Sequence, residues 1–91
     1  MAILVHEIWE DVGEDGRVLP GVCLAGPDGD GFRKLLNKGA QLVHQFEAGS
    51  HFGAMTVYYR RYGWGDYTSD FTSDREPYPE DWAKRQLLGT N

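Results

Sequence analysis

An α+β domain is predicted by three features of the chain. Two N-terminal segments alternate apolar and polar residues as strands do, residues 50–62 repeat their apolar side chains at helical spacing, and a short helical stretch separates the second strand from a third. The expected order is β-β-α-β-α followed by a short C-terminal helix. The sheet is three-stranded and mainly antiparallel, in spatial order 2-1-3, with helices on one face. Residues 1–88 are expected to form one domain, and 89–91 to fray.

Residues 3–10 read as the first strand, with Ile3, Val5 and Trp9 on one face and Leu4, His6, Ile8 and Glu10 on the other. Apolar groups on both faces place it centrally, with Trp9 against the helices. The acidic turn Asp11–Gly16 pairs it antiparallel with residues 17–25, where Pro20, lacking an N–H, belongs at an edge. Asp30 is expected to cap a helix of about two turns that runs through Asn37, buries Phe32, Leu35 and Leu36, and stops at Gly39. In the third strand, residues 40–48, Leu42, His44 and Phe46 share a face, opposite Val43, Gln45 and Glu47.

The main helix carries Phe52, Met55, Tyr59 and Tyr62 at steps of three, four and three. Ser50 is placed to cap it, Arg60 and Arg61 suit its negative end, and Gly63 can take the left-handed conformation that stops it. Residues 63–76 form a polar, acidic loop, and 66–76 should exchange their amides fast because they bury too little to offset ordering entropy. Pro77-Tyr-Pro79 punctuates the chain before a helix over 80–88, where Glu80 with Lys84 and Asp81 with Arg85 are spaced i, i+4.

The 91 residues carry a formal charge of −5, which argues against a nucleic-acid coat protein, since such proteins cluster Lys and Arg against phosphates. The cations concentrate at Arg33, Lys34, Lys38, Arg60 and Arg61. Tyr58, Tyr59 and Tyr62 beside the last two would suit base stacking, but they fall on the stripe a helix uses for its own core. Cys23 is the single cysteine, and neither a leader segment nor a long apolar span stands out, so a cytoplasmic protein without membrane contact is expected.

Three chemistries are testable against spacing. His6, His44, His51 and Cys23 show no metal-ligand spacing, so no metal is expected. In the loop from Asp28 the twelfth position is Gly39 rather than a bidentate Glu, and the acidic run 68–74 has no defined geometry, so calcium is not expected either. Ser50 beside His51 lacks the mutual orientation of a nucleophile and its base, because a capping hydroxyl is already engaged. No catalytic residue and no cofactor is assigned. Gly49, Ser50, His51 and Gly53 leave room for an anion at the helix start, and the large rings of the glycine-rich run Gly63-Trp-Gly65-Asp-Tyr67, Trp64 and Tyr67, are candidate contact residues.

The run from Phe46 to Tyr67, with Pro77-Tyr-Pro79-Glu80 after it, resembles a group of small uncharacterised bacterial proteins. That resemblance implies a bacterial, cytoplasmic origin and no site residue. The expected function is therefore a non-enzymatic domain that binds another protein, or itself as a homodimer, through a sheet edge or the aromatic loop 63–67. Trp64, Tyr67, Ser50, His51, Arg60 and Arg61 are its candidate binding residues. The alternative is a small-ligand binder or minor enzyme using the groove at the N-terminus of the main helix. A concave pocket gathering polar groups favours the ligand, and an exposed apolar patch favours the protein partner.

Overall fold

The computed structural model describes residues 2–89, with side chains through Leu87. The elements are β1 (Leu4–Val12), β2 (Val18–Leu24), α1 (Asp30–Arg33), β3 (Gln41–Ala48), α2 (His51–Tyr62) and α3 (Glu80–Gly89), with 3₁₀ turns at Pro27–Gly29 and Thr72–Arg75. The strands form one antiparallel sheet in the order β2-β1-β3, as the two-faced apolar pattern of β1 and Pro20 in β2 require. Residues 90 and 91 of the expected frayed end lie outside the described residues.

Leu4, His6 and Ile8 point to one face of β1 and are buried, Ile8 completely. This is the face that α2 covers. Ala54 and Tyr58 are its buried residues, and the Tyr62 hydroxyl donates to Glu10 Oε2 at 2.8 Å. The opposite face holds Val5, Glu7 and Trp9, and here α1 lies against β2. Gly21, the cross-strand partner of Trp9, leaves space for the Phe32 ring, whose Cζ would sit 2.4 Å from any Cβ at that position. Arg33 then reaches Glu7 Oε1 at 2.7 Å in a largely shielded ion pair. The sheet thus has α2 on one side and one helical turn on the other, and Trp9 belongs to the α1 side.

Three expectations need correction. The first helix is one turn, not two: Asp30 lies inside it, bonded to Arg33, and Leu35 is 82 % exposed. Tertiary bonds interrupt it, because buried Asp11 accepts the Asn37 N–H at 2.9 Å and Asn37 Nδ2 donates to the Val12 carbonyl at 3.2 Å. In β3 the register shifts between Ile8 and Trp9, which pair with His44 and Leu42. The extra residue, Val43, puts Leu42 and His44 on opposite faces instead of the shared face that strict alternation implies. Finally, β1 extends to Val12, past the expected end at Glu10.

The termini of α2 follow from its sequence. Ser50 Oγ accepts the Gly53 N–H at 3.0 Å. At the other end Gly63 has φ 68°, its N–H bonds the Arg60 carbonyl, and the Trp64 N–H bonds the Tyr59 carbonyl, a Schellman closure. Gly63→Val should destabilise the domain by about 1 kcal/mol or more, since a branched residue pays heavily in the left-handed region. A urea titration checks this, and an unchanged midpoint would refute it.

Loop 63–76 is tied down at identifiable points. Asp74 Oδ2 accepts from Ser69 Oγ at 2.6 Å and from Tyr67 at 3.1 Å, while the Arg75 guanidinium lies 4.5 Å from the centre of the Phe52 ring. Phe71 is 72 % exposed, so the loop is held by its polar groups and by Tyr67 rather than by an inserted phenylalanine.

At the far end of the sheet, Gln86 of α3 closes the β1–β2 ladder. Its Oε1 accepts the Val5 N–H at 2.8 Å, and its Nε2 donates to the carbonyls of Val5 and Ala25, both at 2.9 Å. The side-chain amide thereby bridges the Val5 N–H and the Ala25 carbonyl, while the Ala25 N–H still bonds the Val5 carbonyl at 3.0 Å. Bidentate Arg85–Asp28 contacts at 2.9–3.1 Å add a second tie between α3 and the turn after β2.

A candidate binding cleft between the sheet, the main helix and the Pro-Tyr-Pro segment

Pro77 and Pro79 hold the intervening chain extended, so Tyr78 crosses the end of the sheet instead of entering α3. Its N–H bonds the Gly49 carbonyl at 2.9 Å, and it bridges to Ala2. The phenol therefore reaches under α2. There its hydroxyl lies 3.0 Å from His6 Nε2, while His6 Nδ1 lies 3.0 Å from the Leu4 carbonyl. A carbonyl can only accept, so Nδ1 carries the proton and Nε2 accepts from Tyr78.

Between these groups lies a cleft of about 470 Å³. Its floor is His6, Val22 and Leu24 of the sheet, one wall is Ala54 and Met55 of α2, and the other is Tyr78, Pro79 and Trp82. His51, Ser73 and Glu76 supply polar groups around it. The volume falls in the range of small-molecule sites, and the mixture of apolar walls with few polar groups is their usual composition.

Burial sets the electrostatics. Desolvation lowers the pKa of His6 below its ordinary value, with the Leu4 carbonyl opposing and His51 reinforcing the shift. The fold thus holds a neutral imidazole whose ring stacks on Phe46 at 5.1 Å. Desolvation pushes Tyr78 up to about 12, so its hydroxyl remains a protonated donor. On the opposite face, burial and the neighbouring Glu7 push the Cys23 thiol up to about 11, which leaves little thiolate for nucleophilic chemistry.

Of the six candidate binding residues, only His51 lines this cleft, which His6 and Cys23, weighed above as metal ligands, also line. Ser50 is spent on its cap. Arg60 and Arg61 are exposed on the last turn of α2, a helix length away. Trp64, 50 % exposed, stacks on Tyr62 at 5.2 Å and meets Tyr58 and Tyr59 edge-on. It both seals the helix end and presents a ring to solvent. Tyr67 is half-buried between His51, Phe52 and Tyr59. His6 and His44 share a face and each stacks against Phe46, but no group of three His, Cys, Asp or Glu side chains suited to a metal ion occurs among the described residues.

Sequence reasoning assigns no site role to Tyr78 or Trp82, and His6 enters it only as a possible metal ligand. The available signal was Pro77-Tyr-Pro79, which marks a tyrosine held in extended chain. No described helix is long and apolar enough to cross a membrane. No protein-family model matches the chain, and neither does any curated protein or solved structure.

Proposed function

We propose that this protein is a small non-enzymatic binding domain whose cleft takes a compact, largely apolar ligand with a hydrogen-bonding group at one end. The observation that carries this reading is the concavity itself: about 470 Å³ walled by Met55, Tyr78 and Trp82, with polar groups gathered at His51, Ser73 and Glu76. The absence of activated chemistry supports binding over catalysis. The Ser50 hydroxyl is engaged, the Cys23 thiol is held protonated, and the His6 imidazole is used on both nitrogens. A cytoplasmic setting fits the single cysteine, and the net charge of −5 speaks against nucleic acid as the partner.

Titration of ¹⁵N-labelled protein with a panel of small aromatic and aliphatic amphiphiles tests the proposal. Saturable shifts are expected at residues 54, 55, 78 and 82, and Met55→Trp, which fills the cleft, should abolish them. Shifts confined to residues 59–67 would sink it in favour of a second reading. That reading is a protein-binding surface centred on half-exposed Trp64, flanked by Arg60 and Arg61.

A further inference from the structure

We propose that the outer edge of β3 pairs with β3 of a second copy of this chain, about a two-fold axis at Phe46, to give one continuous antiparallel sheet. The ladder geometry identifies the available edge. Hydrogen bonds from Ala25 N–H to the Val5 carbonyl at 3.0 Å and from Gly13 N–H to the Arg17 carbonyl at 2.9 Å flank the β1–β2 ladder. Antiparallel alternation then turns the odd residues of β1 toward β2 and the even ones toward β3. In β3 it is His44, Phe46 and Ala48 that face β1, through Ile8, His6 and Leu4. The backbone groups of Gln45 and Glu47 point outward.

The two edges of the sheet differ in protection. On β2 the same count turns Val18, Pro20, Val22 and Leu24 outward, where Pro20 removes a donor from the middle and Arg33 Nη1 occupies the Leu24 carbonyl at 3.1 Å. Such devices are how native sheets block further pairing. Residues 41–48 contain neither Pro nor Lys, and no described residue outside the sheet hydrogen-bonds the backbone of Gln45 or Glu47.

A second β3 fits this edge by charge and by shape. Centred on Phe46, the antiparallel register sets Gln45 opposite Glu47 of the second copy, twice, and each pair exchanges two backbone hydrogen bonds. The side-chain amide can donate to the facing carboxylate, and no like charges oppose one another despite the net charge of −5. On the α2 side half-buried Phe46 meets its own copy in a close cross-strand aromatic pair.

Sedimentation of the full chain at about 100 µM, far above a micromolar dissociation constant, tests the proposal. The wild type should be a dimer. Gln45→Pro, which removes an outward N–H but none that bonds β1, should be a monomer with an unchanged far-ultraviolet circular dichroism spectrum. Gln45→Glu, which places carboxylates opposite each other twice, should weaken the dimer roughly tenfold and regain strength with added salt. Should the proline variant not fold, Gln45→Glu alone decides. A monomeric wild type, or a dimer of unchanged strength in Gln45→Glu, would overturn the proposal.

Discussion

Gln86→Leu is expected to destabilise the domain by about 4 kcal/mol, because it removes three hydrogen bonds at once and leaves two shielded backbone groups without their partner while nearly keeping the side-chain volume. The Val5 N–H loses its acceptor and the Ala25 carbonyl its Nε2 donor, while the Val5 carbonyl loses one of two donors and keeps the Ala25 N–H. Gln86 is only 8 % exposed and Ala25 7 %, so water cannot replace the amide without opening the end of the sheet. For a domain of this size the change corresponds to a fall in Tm of roughly 15–30 °C, readable by calorimetry. Trp82 lies one turn before Gln86 on α3 and walls the cleft, so ligand binding should weaken as well. Gln86→Glu makes the same contacts sensitive to pH. Its carboxylate can still accept from Val5 but repels the two carbonyls, so that variant should become more stable relative to wild type as acidification protonates it. A Gln86→Leu protein within about 1 kcal/mol of wild type would show that the amide bridge is dispensable.

Gly29→Ala should cost about 3 kcal/mol, near the upper end for overpacking, because the clash is with backbone. A Cβ at Gly29 would stand 1.9 Å from the Leu24 carbonyl oxygen and 2.7 Å from Arg33 Nη1. Neither neighbour can step aside freely, since that carbonyl ends β2 and accepts from the guanidinium that pairs with Glu7. Displacing it would loosen the α1 face of the sheet. Gly31→Ala is the control. Two residues on, inside α1, nothing beyond its own helical neighbours lies within 4 Å of a Cβ, and the substitution should be neutral or stabilising by up to about 1 kcal/mol. Denaturant midpoints of the two variants decide the matter, and equal midpoints would refute the steric argument.

The sequence by itself determined those features that depend on near neighbours in the chain. Alternation in β1 and the missing N–H of Pro20 are local signals that imply a middle and an edge strand, and the strand order β2-β1-β3 follows. Ser50 and Gly63 act on the backbone within four residues of themselves, so both ends of α2 were legible. Tertiary structure decided what depends on partners distant in sequence. Asn37 is bound 26 residues away to Asp11, which ends the first helix after one turn although its apolar spacing suggested two. The bulge at Val43 has no local signature, because an inserted residue changes pairing and not composition. Likewise the cleft joins His6 to Tyr78, 72 positions apart, and α3 reaches Val5 across 81. Local pattern carries propensity and periodicity, but a concave site is made by the meeting of distant surfaces, and only the packed chain shows which surfaces those are.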